Sequence, residues 1–333
     1  MHPGKVPPDI LSRIIFKHLG KEDPDVILGP GLGQDASVLG VGEKVIVAAT
    51  DPITGSVEDV GWLAVHVNAN DIATFGVRPR WFLASLMLPV GCDEKQIEHI
   101  VGQINRAANS LGIAVVGGHS EITEGIDRPI VAGFMLGVAD DGEFVTSSGA
   151  RPGDAIVLTK SIGIEGTSIL ASEGKEKLER LLGEKLVEQA LSLRNEISVV
   201  AEGLAAFKTG HVTAMHDPTE GGIYNGLHEL CDASSVGFEI DTSAMAIDEA
   251  TQRICETLAV NPMELISSGC MILTCSDSHA NQVVDAIERT GVAATRIGSI
   301  HPEATHRRTT QGVDVPRPET DVLWTALKRV KSL

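Results

Sequence analysis

The sequence predicts an α/β fold, of the mixed α+β kind, in two domains. Its 333 residues suit two domains better than one, because single hydrophobic cores seldom grow beyond about 250–300 residues. Short apolar stretches rich in β-branched residues alternate with longer stretches of helical periodicity. A polar stretch rich in turn residues, 147–154, separates two such series. We therefore expect an N-terminal domain over residues 1–148 and a C-terminal domain over residues 149–333.

The first half alternates between predicted helices and predicted strands. Apolar residues fall on one side of a helix at 9–19, 60–75 and 95–111. Apolar or β-branched runs predict strands at 37–39, 44–50, 80–88, 113–116 and 129–138. Gly29–Ala36 is too rich in glycine to be regular structure, and Gly117–Ser120 is expected to turn after the strand that precedes it.

The second half continues the alternation. Strands are expected at 155–159, 211–215 and 271–274, and helices at 223–231 and 322–333. A single long helical region is expected over roughly 176–207. The last helix is basic at its end, which complements the helix dipole and needs no functional explanation.

Composition excludes several classes of protein. The net charge of −18 argues against nucleic acid or an anionic membrane surface as the main partner, since either would need a basic patch. The five cysteines are odd in number and form no C-x-x-C pair, so neither a disulfide framework nor a structural zinc site is expected. No apolar stretch approaches 18 residues and no signal-peptide pattern is present, so we expect a cytoplasmic location.

Four polar clusters lie at or near the ends of the predicted strands and helices, where the chain changes direction. They are Gly33–Asp35, Thr50-Asp51, Asn68 with Asn70-Asp71, and Gly117–Glu121. In α/β folds ligands bind near such strand ends. Carboxylate oxygens are the ligands that magnesium prefers, and glycine lets backbone N–H groups approach phosphates closely.

Each cluster taken alone also has a structural explanation. The glycines of the first cluster are more often a turn than a phosphate cradle, and they match neither a Walker A loop nor a Rossmann fingerprint. Asp51 and Asp71 are compatible with helix caps or turns, and His119 with a loop histidine that is simply hydrogen-bonded.

The order of these clusters resembles a known family. The segments that carry the resemblance are GLGQDASVL, ATDP, VNANDIATFGVRP and GGHSEIT. They are similar to the signature series of the aminoimidazole ribonucleotide synthetase (PurM-like) superfamily, which includes thiamine monophosphate kinase, selenophosphate synthetase and the hydrogenase maturation protein HypE. The later segment His216–Ile223, HDPTEGGI, looks most like HypE. The resemblance covers nearly the whole chain.

The resemblance implies a fold, ligands and residue roles. It implies a homodimer in which the N-terminal domains form a β-barrel, a C-terminal α/β domain, and ATP with Mg²⁺ bound in the cleft. Its implied magnesium ligands are Asp35, Asp51 and Asp71. Its implied nucleotide-binding residues are Gly31, Gly33, Asp35, Asp51, Asn70, Asp71, Gly117, Gly118 and Ser120. Candidates for acid–base or substrate contacts are His119, Glu121, His216 and Asp217.

Three departures from the family pattern bear on the reaction. HypE proteins carry a terminal cysteine that holds the carboxamide, whereas the last cysteine here is Cys275, so dehydration on the protein's own tail is not expected. Second, His119 stands where many family members have an acidic residue, and Glu121 is a candidate substitute for that residue. Third, Ser267-Ser268-Gly269 stands where HypE usually has Glu-Gly. A selenophosphate synthetase would need an N-terminal cysteine, and none precedes Cys92.

Three functions are therefore carried forward. The first is an ATP-dependent enzyme that transfers the γ-phosphoryl group to an amide, carbonyl or phosphate oxygen of a small molecule or of a group on a partner protein. The second is a nucleotide-binding accessory factor that docks to a maturation partner without turnover. The third is a small-molecule kinase similar to thiamine monophosphate kinase.

Overall fold

The computed structural model describes residues 4–54, 56 and 58–333. After a short helix α1 (Pro8–Arg13), the first half contains strands β1 (Val26–Leu28), β2 (Ser37–Val41), β3 (Lys44–Ile53), β4 (Pro79–Pro89), β5 (Ala114–Thr123) and β6 (Ile130–Asp140), and helices α2 (Val60–Ala73) and α3 (Glu94–Leu111). The strands form one sheet in the order β1-β2-β3-β6-β4-β5, in which β4 and β5 are the parallel pair. Helix α2 is buried along almost its whole length.

The second half is built around another six-stranded sheet, in the order β12-β9-β11-β7-β10-β8. Its strands are β7 (Asp154–Thr159), β8 (Val212–His216), β9 (Gly237–Ile240), β10 (Ile272–Ser276), β11 (Ala294–His301) and β12 (Arg307–Thr309). Its helices are α4 (Ile164–Glu173), α5 (Lys175–Leu182), α6 (Glu184–Ser192), α7 (Val200–Phe207), α8 (Gly222–Ser234), α9 (Glu249–Thr257), α10 (Ala280–Glu288) and α11 (Leu323–Ser332). Within the described part of the chain, no helix combines the length and apolar character needed to cross a bilayer.

The predicted α/β class is confirmed, but several element bounds were wrong. The helix expected at 9–19 ends at Arg13, because none of its residues is buried and an unpacked helix this short gains little stability. The single helical region expected at 176–207 is interrupted at Gly183, whose φ of 91° is incompatible with a continuous helix, and by a 3-10 turn at Leu193–Glu196. Strand β1 was not predicted.

The turn expected at Gly117–Ser120 was also wrong, since these residues continue strand β5. A Cβ at Gly118 would collide with the carbonyl oxygen of Ala84 on β4, so the glycine permits close strand pairing. Both sheets are mostly antiparallel, and in the first sheet only β4 and β5 pair in parallel.

The two halves share one hydrophobic core. Val47 and Ile72 of the first half belong to the same buried cluster as Val157 and Leu273 of the second. Asn70 adds a polar link: its Oδ1 accepts a hydrogen bond from the Val199 N–H at 2.9 Å, and its Nδ2 donates to the Ile197 carbonyl at 2.9 Å. The division of the chain at 148/149 stays a prediction.

Asn70→Ala should destabilise the protein by about 3 kcal/mol, because it leaves a buried N–H and a buried C=O without partners. Chemical denaturation would measure the change in the free energy of unfolding. The side chain of the exposed Asn109 of α3 donates to Asn105 of the same helix, so Asn109→Ala is the matched control and should change stability by less than about 0.5 kcal/mol. Equal effects of the two substitutions would contradict the assignment of Asn70 as an inter-half link.

Candidate functional site

A cleft of about 780 Å³ lies between the two halves and is lined by acidic residues from both. The first half contributes the loop before β2, the end of β3 and the end of α2, and the second contributes the end of β8 and part of α8. Its ionisable lining residues include Asp35, Asp51, Asp71, His216, Asp217 and Glu229. Five chain segments, drawn from both halves, therefore meet at one site.

His216 bridges the two sides of this cleft. Its Nδ1 lies 2.7 Å from Asp35 Oδ1, and its Nε2 lies 3.1 Å from Glu229 Oε2. Burial lowers the pKa of His216, but the two carboxylates outweigh burial and raise it to about 10. With its pKa raised in this way, the imidazole is a buried cation at neutral pH, and its single charge partly offsets those of the two carboxylates.

Gly33 allows the loop that bears Asp35 to reach His216. Its φ is +71°, and a Cβ at this position would collide with the backbone carbonyl of Glu229. Only glycine tolerates both conditions. The glycine-rich loop is thus shaped for contact with α8, and Gly31 and Gly33 also line the cleft.

Asp51 is held by a neighbouring side chain on α2. Asn68 Oδ1 accepts a hydrogen bond from the Asp51 N–H at 2.8 Å, and Asn68 Nδ2 donates to the Asp51 carbonyl at 3.1 Å. This fixes the backbone at the end of β3 while leaving the Asp51 carboxyl group facing the cleft.

Three carboxyl groups in the cleft have raised pKa values. Burial raises the pKa of Asp51, with Lys5 acting in the opposite direction. Burial, reinforced by the other aspartates, raises the pKa of Asp71 well above its usual range. The pKa of Asp217 is raised in the same way by burial and by Asp35, and neither of its carboxylate oxygens has a hydrogen-bond partner among the residues that the structure describes.

Asp35, His216 and Asp217 each offer a ligand atom within 4.8 Å of the others, a spacing that suits a metal ion. However, the two nitrogens of His216 already face Asp35 and Glu229. We therefore regard His216 as a counter-charge that orients Asp35, while the two free oxygens of Asp217 are the better cation ligands.

The predicted residues do not all converge. Gly31, Gly33, Asp35, Asp51, Asp71, His216 and Asp217 line the cleft. Asn70 lies beside it on α2, with its amide bonded to the second half. Five of them, Gly117, Gly118, His119, Ser120 and Glu121, lie instead on the exposed edge strand β5, where His119 Nε2 lies 3.2 Å from Glu121 Oε2. The ligand roles assigned to all these residues stay predictions.

Sequence reasoning missed several members of the cleft, among them Glu229 and Lys5. Glu229 lies on α8, and its local sequence is that of an ordinary amphipathic helix. Lys5 Nζ lies 3.7 Å from Glu229 Oε1, and the Lys5 N–H donates to Glu220 Oε2 at 2.6 Å. Burial lowers the pKa of Lys5, but nearby carboxylates, Glu229 first, raise it above its usual range. No local pattern distinguishes either residue, because their roles arise from contacts across the fold.

The metal-free protein should keep His216 charged at neutral pH while His228 is neutral. Burial and Arg307 lower the pKa of His228 to about 4, whereas that of His216 is about 10. Because the folded pKa of His216 exceeds its ordinary 6.5, its contribution to stability is present below pH 6.5 and lost as the pH rises towards 10.

Histidine side-chain NMR, with signals assigned through His216→Gln and His228→Gln, would measure the two titrations. In Asp35→Asn the His216 pKa should fall, because one of its two carboxylate partners is removed. Similar titration of both histidines near pH 6.5 would contradict the ion-pair bridge.

Comparison with known proteins identifies the family. Residues 33–139 match the AIR synthase related protein N-terminal domain, and residues 151–310 match the C-terminal domain of the same family. The chain is 28% identical to a putative hydrogenase expression/formation protein of Methanocaldococcus jannaschii, over 85% of this chain and 84% of that protein. It is 30% identical to the carbamoyl dehydratase HypE of Rhizobium leguminosarum bv. viciae, over 80% and 77% of the two chains.

Solved structures share the fold. The hydrogenase maturation protein HypE in complex with ATP superposes with a TM-score of 0.68 at 22% identity, covering 98% of this chain and 97% of the other. AaThiL complexed with AMPPCP and TMP gives a TM-score of 0.72 at 21% identity, covering 96% and 99%. With two family domains matched in order and a relative at 30% identity, this chain belongs to the AIR synthase related protein family.

Proposed function

We propose that this protein is an ATP-dependent enzyme that binds Mg²⁺·ATP in the cleft and transfers the γ-phosphoryl group to an oxygen of a substrate. The observation that carries the proposal is the convergence of Asp51, Asp71 and Asp217 from three separate elements, with their pKa values raised by burial and mutual repulsion. Several carboxyl groups in one buried site are stable together only if a proton or a cation offsets their charge.

The carboxyl groups fit magnesium. Asp217 presents two buried oxygens without hydrogen-bond partners, and Asp51 and Asp71 face the same cleft. Asp35, oriented by His216, completes an oxygen-rich set. When bound, Mg²⁺ supplies charge neutralisation between the carboxylates and the phosphate oxygens.

Several other groups suit the phosphates of a nucleotide. Gly31 and Gly33 place backbone without side chains at the wall of the cleft, and α8 begins at Gly222 with its N-terminal end close to the acidic cluster. Lys5 adds a positive charge at the same wall. The related HypE solved with ATP and AaThiL solved with AMPPCP support a nucleotide in this fold.

The chain's own residues position the reaction. His216 holds Asp35 against α8, and Asn68 holds the backbone of Asp51, so the carboxylates need little rearrangement as charge moves between phosphate oxygens. The relatives named carbamoyl dehydratase favour an amide or carbamoyl oxygen as the acceptor. A nucleotide-binding factor without turnover is the alternative that the following experiment separates.

Asp51→Asn and Asp71→Asn should each lower magnesium-dependent binding of a non-hydrolysable ATP analogue by at least about tenfold and abolish phosphate release, because each removes a charge that faces the cation. Calorimetry and a phosphate-release assay across an acceptor panel would measure both. Asp127→Asn, at an exposed side chain, is the matched control and should change neither. Analogue binding by the wild type without any turnover would favour the accessory-factor function, and undiminished binding by both variants would contradict the site.

We also propose that the chain forms a homodimer through its first sheet. The side chains of β5 are exposed on both faces, and Val116, Ile122 and Phe134 expose 54%, 55% and 40% of their surfaces. An unpaired edge strand flanked by exposed apolar residues is a common site of self-association. The β-barrel expected across such a dimer stays a prediction.

Val116→Glu should convert a dimer into a monomer, since it places a charge within this apolar face. Light scattering after size-exclusion chromatography would report the mass. Val90→Glu, at a loop position that is 71% exposed, is the control and should leave the dimer intact. A wild-type monomer at all concentrations would refute the dimer.

A further inference from the structure

A second cavity, of about 430 Å³, adjoins the cleft. The two share Lys5, Asp51, Thr219, Glu220 and Asp321 in their common wall. Away from that wall the second cavity is mainly apolar. Its apolar lining comes from Ile53, Val67, Ile169, Ile266, Leu323 and the Trp324 ring. A molecule in this cavity would have one end against Asp51.

Four polar atoms of the lining residues are buried: Glu165 Oε2, Ser268 Oγ, Thr219 Oγ1 and Trp324 Nε1. Ser268 lies against the Glu165 carboxyl group and interacts with it, whereas Thr219 Oγ1 and Trp324 Nε1 have no hydrogen-bond partner within the described part of the chain. Ser268 is fully buried and Glu165 is 5% exposed. Leaving Thr219 Oγ1 and Trp324 Nε1 unpaired costs free energy, whereas a ligand with complementary polar atoms would satisfy them.

The charges in this cavity disfavour an anion. Glu165, Asp321 and Glu220 line it, and Lys5 at the shared wall is the single basic residue among its described lining residues. Burial raises the pKa of Glu165 to about 7, an effect that the neighbouring Ser268 partly offsets, and burial also raises that of Asp321 to about 7. A phosphate ester would add negative charge to a site already rich in carboxyl groups.

Resting on the function proposed above, we propose that this cavity binds the acceptor, and that the acceptor is a small uncharged molecule with an apolar body and an amide or hydroxyl group. The polar group would bond to Glu165, Ser268 and Trp324, and its oxygen would reach the cleft at Asp51. Glu165 is then a substrate-binding residue for which the local sequence gives no signal.

Benzamide is a suitable uncharged probe. Benzoate and phenyl phosphate are the comparison ligands, because they have the same aromatic ring but carry a negative charge. The chain has three tryptophans, so the ¹⁵N-indole signal of Trp324 can be assigned through Trp324→Phe and followed by NMR. Benzamide should shift that signal and leave those of Trp62 and Trp81 unchanged. Benzoate and phenyl phosphate should bind at least about tenfold more weakly, because they bring a charge into a buried acidic site.

Glu165→Leu should weaken benzamide binding about tenfold by removing a buried hydrogen-bonding group of similar size. Glu173→Leu, on the exposed last turn of the same helix, is the matched control and should have no effect. Ile169→Phe, which fills the cavity with apolar atoms, should also abolish the shift that benzamide causes in the Trp324 signal. This variant tests the cavity independently if Glu165→Leu does not fold.

A Trp324 signal that benzamide leaves unmoved, or that phenyl phosphate shifts as strongly, would overturn the proposal, as would unchanged benzamide binding in both variants. Calorimetry with Mg²⁺ and a non-hydrolysable ATP analogue on the same wild-type sample separates the two proposals. Analogue binding without benzamide binding refutes the acceptor cavity alone. Benzamide binding without analogue binding refutes the nucleotide site and leaves the cavity assignment standing.

Discussion

The buried ion-pair bridge from Asp35 through His216 to Glu229 is the interaction on which the cleft depends. It joins a loop of the first half to a strand and a helix of the second, so the walls of the cleft are fixed relative to one another. The same bridge gives two buried carboxylates a cation, without which they would repel each other. The backbone freedom of Gly33 is required because this bridge draws its loop against α8.

Three neighbouring polar residues of helix α2 make three different kinds of contact. Asn68 holds the backbone of Asp51, Asn70 bonds to the second half, and Asp71 faces the cleft. Successive side chains on a helix point about 100° apart, so three adjacent elements can each be reached from one turn. Almost the whole helix is buried, because these polar residues as well as its apolar residues contact the surrounding structure.

The space between the halves contains two adjoining environments. The cleft concentrates carboxylates around His216 and Lys5, an arrangement suited to a cation and phosphates. The adjoining cavity shares an acidic wall with the cleft, and away from that wall its lining is mainly apolar, with Glu165 and Ser268 as buried polar groups. In phosphoryl transfer such adjoining environments would place the charged donor and an uncharged acceptor on opposite sides of Asp51.

The sequence by itself determined the α/β class, the family resemblance and most of the strands and helices, because these depend on local periodicity and short motifs. Helix α3, for example, begins where Asp93 and Gln96 form a capping box. The motifs that carry the family resemblance also predicted five site residues that line the cleft: Asp35, Asp51, Asp71, His216 and Asp217.

Only the tertiary structure decided which polar residues meet. Gly117–Glu121 resembles a ligand-binding turn in sequence, yet pairing with β4 extends it along an exposed sheet edge. Asn70 finds its partners 127 and 129 residues away, and Lys5 and Glu229 join the cleft without any local pattern. The reason is physical: periodicity fixes the conformation of a segment, whereas burial, the pKa of a carboxyl group and its neighbours depend on how distant segments pack together.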